Sequence, residues 1–230
     1  VAAFQVRVES PGPFLAWPGW DHLRYAGLLS ILNTLWFLIV YGGADALTAR
    51  RAFRVPVHVP AELRIPFIPA MAAAYMSVYL LFFLAPFILR TRRELRAAVW
   101  TMAFVILCGG IAFLLFPAEL AFAPPSEGQL GGWAGLYRVA DALNLTYNLL
   151  PSLHVAFAVV CVAIFAPRAP GAVKVFLWAW AFLIAASTVL IHQHHVLDVV
   201  AGWLLAVVGV RKVFRPFRTR SGQPTGRTVP

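Results

Sequence analysis

The sequence predicts an all-α protein: a polytopic membrane bundle of six transmembrane helices, with a short interfacial helix in the outer loop after the third. Three observations predict it. First, 61% of the 230 residues are apolar or aromatic and 12% are charged, against about 25% charged in a soluble domain. That excludes a soluble globular enzyme, a disordered chain and a conventional nucleic-acid binder. Second, five runs free of Asp, Glu, Lys and Arg are each 20 to 26 residues long, and about 20 apolar residues carry a helix across the hydrocarbon. Third, the formal charge is +10, and the basic residues fall unevenly between alternate loops, as they do around membrane spans.

Taken in order, the first span (about 23–43) overlaps the uncharged run 25–44. The second (66–89) carries Pro86, which predicts a kink. The third (97–116) carries Gly109-Gly110, which permits close helix packing. The loop from 117 to 150 begins rich in Pro and Gly. It continues with Leu136, Val139, Ala140 and Leu143 at helical spacing, opposite Arg138 and Asp141. That pattern predicts a short amphipathic helix near 135–145. The fourth span (150–166) opens on Pro151-Ser152, a first-turn proline and a good N-cap. The fifth (173–191) overlaps the run 175–197. The sixth (196–213) has Asp198 at its start and Arg211 and Lys212 at its end, so its charge support is the weakest. Residues 1–217 read as a single membrane domain, and the polar, basic segment 218–230 as a disordered tail. Cys108 and Cys161 sit in apolar runs and read as small core residues. The chain opens on Val1 without Met, so further residues are expected upstream.

Topology follows from the charges. The N-terminus, the loops after the second and fourth spans, and the C-terminus hold 14 of the 19 basic residues. The positive-inside rule places both termini in the cytoplasm. Arg50, Arg51, Arg54 and Arg64 after the first span run against the bias and would face outward, where an anion could meet them.

Chemistry concentrates late in the chain. Asp198 is the only carboxylate after Asp141, and His154, His192, His194 and His195 share that region. On the predicted topology all five lie at outer helix ends, and ionisable groups at membrane-helix ends point to function. Leu150-Pro151-Ser152-Leu153-His154 opens a helix, whose first N–H groups and positive dipole end suit a phosphate. His194 and Asp198 are four apart and share a helix face. A carboxylate there would fix one ring nitrogen as the proton carrier and leave the other as a nucleophile. Plainer readings fit the same residues: a routine helix start with an incidental histidine, and a buried His–Asp pair that only holds helices together. A metal site on His192, His194 and His195 lacks a Cys and has a single nearby acid. Asn144-Leu145-Thr146 matches a glycosylation acceptor but lies too close to the membrane to be read as one.

Pro-Ser-x-His at one helix start, followed by Ser187-x6-His194-x3-Asp198, resembles the type 2 phosphatidic acid phosphatase superfamily. The resemblance covers about 148–203. It implies a phosphohistidine mechanism without metal or other cofactor. His194 would be the nucleophile, Asp198 its orienting carboxylate, and His154 the general acid and then base. Ser152 would hold phosphate oxygens. Two departures stand out. Thr188 occupies the place where the family's pattern has Arg, and the upstream Lys-x6-Arg-Pro motif is absent. Arg138, His192, His195 or the outward arginines are the expected substitutes, with Thr188 beside them. The Ser-Thr pair and Leu153 look closer to the inositol phosphorylceramide synthase branch, which moves phosphorylated headgroups between lipids. The substrate implied is a phospholipid, isoprenoid phosphate or sphingolipid phosphate, with no nucleic-acid partner and oligomeric state open. The preference for Arg over Lys suggests a bacterial source, hence an inner-membrane protein with its site facing outward. The alternatives are a membrane transporter and a catalytically inactive lipid-binding protein.

Overall fold

The computed structural model describes residues 13–219, so most of the expected tail lies outside the described residues. The chain is almost entirely helical. Helix α1 (Trp20–Ala49) is followed by α2 (Met71–Ile88) and α3 (Arg92–Leu115). Helix α4 (Ala134–Leu143) lies in the outer loop. Then come α5 (Leu153–Phe165), α6 (Gly171–Leu190) and α7 (Val196–Gly209). Helix α7 runs on through a π-turn at Val210–Phe214 into Arg215–Thr219.

Among the described residues, four helices are long and apolar enough to cross a membrane: α1, α2, α3 and α6. The sequence predicts six. Two helices fall short for different reasons. Helix α5 is thirteen residues long, continued by one 3-10 turn, Ala166–Arg168. The run that contains it spends its first residues on an approach loop that is not helical. Helix α7 is fourteen residues long, and Asp198 with Arg211, Lys212 and Arg215 breaks its apolar length at both ends.

Burial explains the architecture. Ten of the thirteen residues of α5 are buried, and α5 packs against α2, α3, α6 and α7. A helix apolar on all sides is a core helix. Helix α1 lies at the rim and turns Leu28, Ile31, Leu35 and Ile39 outward, each more than half exposed. An apolar outer surface of that size calls for lipid around it. Trp17, Trp20 and Trp133 are exposed near helix ends, where aromatic rings anchor at the membrane interface; Trp100 is exposed two turns inside α3.

Small residues set the closest approaches. A Cβ on Gly110 would lie 2.4 Å from the Val40 side chain, and one on Gly202 would lie 2.3 Å from the Ser152 carbonyl oxygen. Helix α7 therefore touches the backbone that opens α5. Helix α2 breaks at Ser77, while Pro86 sits inside its second helical run. The Ser77 hydroxyl donates to the Ala74 carbonyl at 2.5 Å and accepts the Trp180 indole N–H at 2.7 Å. Two outer segments, β1 (Val55–Pro56) and β2 (Ala118–Glu119), form a short parallel ladder that the sequence does not predict.

Candidate active site

The site is assembled where α5 and α7 begin and α6 ends. Ser152 caps α5, its hydroxyl oxygen accepting the Val155 N–H at 3.4 Å. The Leu153 and His154 N–H groups thus open the helix without intrahelical partners. Asp198 does the same for α7, its carboxylate accepting the His195 N–H at 2.8 Å. The two starts are tied together because the Ser152 N–H donates to the Asp198 carbonyl at 3.0 Å.

The end of α6 aims the next residues. His192 adopts φ 56°, the left-handed residue with which helices commonly close. The Thr188 carbonyl then accepts the N–H groups of both Gln193 and His194, at 3.0 and 3.1 Å. That brace presents His194 to Asp198. Its Nδ1 lies 3.4 Å from Asp198 Oδ2, the same oxygen that caps α7. Asp198 is fully buried and His194 is 5% exposed. With Nδ1 turned to the carboxylate, Nε2 is the nitrogen left for chemistry. His154 stacks on Tyr75, ring centroids 3.9 Å apart, and its Nδ1 lies 2.9 Å from the Tyr75 hydroxyl.

His154 and His194 line one cavity of about 600 Å³. The cavity runs between the helices from Ala26 and Leu95, at one end of the bundle, to Tyr41, Asn144 and the two histidines at the other. Most of its lining is apolar, and among the described residues no Arg or Lys belongs to it.

Other sequence-predicted site residues lie elsewhere. His195 is fully buried with both ring nitrogens engaged. Its Nδ1 is 3.1 Å from Glu62 Oε2, and its Nε2 accepts the Ala121 N–H at 3.1 Å. Burial holds this imidazole below its ordinary value, against the opposing pull of Asp198 and Glu62. His192 turns Nε2 to the Ile65 carbonyl at 3.0 Å and stacks on Phe122 at 4.0 Å. Arg138 pairs with Glu127 on the exposed face of α4. The Thr188 hydroxyl donates to the Ala185 carbonyl. Of the outward arginines, Arg54 lies over the Tyr147 ring at 4.4 Å and Arg51 bonds the Leu114 carbonyl. The structure therefore brings together His154, His194, Asp198 and the capped start of α5. Arg138, His192 and His195 do not line the cavity, and neither do Ser152 and Thr188, which are fully buried.

Tyr75, Glu62, Asn144 and Gln193 are absent from the sequence-based site. Only Gln193, set between His192 and His194, carried a positional signal. Among the described residues, no three His, Cys, Asp or Glu side chains cluster as a metal ion needs.

This fold and site define a polytopic helical membrane protein with a His–Asp pair and a second histidine at the end of an apolar cavity. Residues 62–211 match the PAP2 superfamily, and the chain belongs to it. No curated protein and no solved structure matches the chain.

Proposed function

We propose that the protein is an integral-membrane lipid phosphatase or headgroup phosphotransferase that works through a phosphohistidine at the outer face of a bacterial inner membrane. One observation carries the reading: His154 and the Asp198-paired His194 close one end of an apolar cavity that runs the length of the bundle. A lipid chain fits the cavity and its phosphate meets the histidines. Membership of the PAP2 superfamily supports the same chemistry.

In the first half-reaction His194 Nε2 attacks phosphorus, and the bond to the leaving oxygen breaks. That oxygen takes a proton from His154. In the second, His154 takes a proton from water or a lipid hydroxyl, the freed oxygen attacks phosphorus, and the P–N bond breaks. Asp198 supports the charge on His194. Ser152 and the free N–H groups of α5 hold non-bridging oxygens. No metal or other cofactor takes part.

Among the described residues the cavity lining holds no Arg or Lys, which favours a singly charged phosphodiester over a doubly charged phosphomonoester, since each uncompensated charge is costly away from water. That supports the headgroup-transferring, inositol phosphorylceramide synthase-like branch. Of the expected lipids, a phospholipid diester fits that argument best; an isoprenoid phosphate or a sphingolipid phosphate, each a monoester, is the second choice. Residues 1–217 act as one membrane domain. Helices α5 and α7 complete six crossings: α5 is packed among its neighbours, Asp198 is buried at one end of α7, Arg211, Lys212 and Arg215 stand exposed at its other end, and both termini are cytoplasmic.

The test compares purified protein with its His194→Ala variant on mixed phospholipids, a prenyl pyrophosphate, and a diacylglycerol or ceramide acceptor. Turnover is expected in the wild type, with loss of at least a hundredfold in the variant. Free phosphate identifies a phosphatase; a new phospholipid without free phosphate identifies a transferase. Normal turnover in the variant sinks the nucleophile. No product from the wild type across the panel supports a transporter or a lipid-binding protein instead.

A further inference from the structure

We infer that a one-way chain of hydrogen bonds, from His154 through Tyr75, Asn144 and Gln193 to Asp141, fixes the tautomer of His154. Those four residues are positioning residues for the acid and base of the reaction. The inference rests on the role proposed above for His154.

The far end of the chain dictates its direction. The Asp141 carboxylate only accepts hydrogen bonds. Asp141 Oδ1 therefore takes an N–H from the Gln193 amide nitrogen, 2.9 Å away. That nitrogen also reaches the Tyr137 hydroxyl at 3.2 Å. The Gln193 amide oxygen is left to accept from the Asn144 amide nitrogen at 2.8 Å. The Asn144 oxygen in turn accepts the Tyr75 hydroxyl proton at 2.6 Å. Tyrosine has a single O–H, so Tyr75 offers only lone pairs to His154 Nδ1 at 2.9 Å. Each link has one allowed sense, and together they put the proton of neutral His154 on Nδ1.

A neutral imidazole otherwise exchanges between two tautomers, and the bond at one nitrogen decides what the other carries. Here Nδ1 keeps its proton in both half-reactions. Every proton gained or lost passes through Nε2, on the ring that lines the cavity. When His154 is protonated, the aligned bonds polarise one another toward Asp141. The chain also gives α4 a task. Tyr137 and Asp141 lie on α4 and Asn144 follows it directly, so the interfacial helix anchors the acid–base histidine through α2.

Tyr75→Phe keeps the ring that stacks on His154 and removes only the oxygen. Asp141→Asn keeps the shape and releases the direction of every link. Histidine-15N-labelled protein in detergent, near about pH 8, reports the tautomer, with the His154 signal assigned by its loss in His154→Gln. The wild type is expected as the Nδ1–H form. Tyr75→Phe is expected to give a mixture, with kcat/KM about ten- to a hundredfold lower, KM unchanged and thermal unfolding within a few degrees of wild type. Asp141→Asn is expected to give a smaller shift of the same kind, with a loss of about three- to tenfold. An Nε2–H wild type, or a Tyr75→Phe protein with unchanged tautomer or unchanged turnover, overturns the chain. A wild type without turnover overturns the proposed function instead, and the tautomer signal alone then decides the chain.

Discussion

His195 shows how little a residue's type says about its role. It lies beside the proposed nucleophile in sequence, yet its ring joins Glu62 to the Ala121 backbone. The Ala121 N–H needs a bare lone pair on Nε2, so the folded protein holds His195 neutral. Burial lowers its proton affinity, the Asp198 and Glu62 carboxylates raise it, and the neighbouring His58 lowers it again. Burial wins. An unfolded histidine takes up its proton near about pH 6.5. Below that pH the unfolded chain binds more protons than the folded one, so stability falls as the medium becomes more acidic. The melting temperature is therefore expected to drop between about pH 7 and pH 5. His195→Asn is expected to melt lower at pH 7 but to lose less on acidification. Equal pH slopes for the two proteins would refute this account. The His194–Asp198 pair was legible as a spacing of four, but not by the helix face that spacing suggested: His194 stands before α7, which begins at Val196, and the Thr188 carbonyl braces it there. Glu62 was not legible: it is 133 residues away from His195, and nothing local marks it.

The elements meet at backbone contact. Gly202 places α7 against the Ser152 carbonyl, where a Cβ would lie 2.3 Å from the oxygen. The neighbour is backbone and cannot rotate away. Gly202→Ala is expected to destabilise the bundle by about 1–3 kcal/mol, read as a lower melting temperature. Turnover is expected to fall as well, because the same contact sets the start of α5 and the position of His154. A variant with wild-type melting and wild-type turnover would show that α7 can shift without cost. Periodicity gave α4 its place, since Leu136, Val139, Ala140 and Leu143 share a face. It gave no reason for the break at Ser77. At that break the Ser77 hydroxyl meets the Trp180 indole, 103 residues on.

For the whole molecule the long cavity is the decisive feature. Ala98 lines it together with Leu95 and Ala26, far from the histidines. Ala98→Trp would fill that end and leave the chemistry untouched. The expected result is a loss of turnover on long-chain lipid with short-chain substrate unaffected, measured as kcat/KM across chain lengths. Equal losses on both would mean that the chain lies outside the bundle. The apolar outer face of α1 and the buried α5 divide the bundle into a lipid-facing rim and a central helix. That division explains why apolar length alone overcounts the helices able to span. A run long enough to cross by itself can be divided between an approach loop and a short helix enclosed by its neighbours.

The sequence by itself determined the helical class, four of the six expected apolar spans, the short helix α4 and the local His194–Asp198 spacing. Each of these depends on composition or on a period of a few residues. Only the tertiary structure decided that His154 and His194 share a cavity and that His192 and His195 turn away from it. Tertiary structure alone also set Tyr75, Asn144, Gln193 and Asp141 in a line. Those arrangements depend on polar groups finding partners across 49 to 133 residues. A buried polar atom must be satisfied by whatever packing brings near it, and no periodic pattern encodes which partner that is.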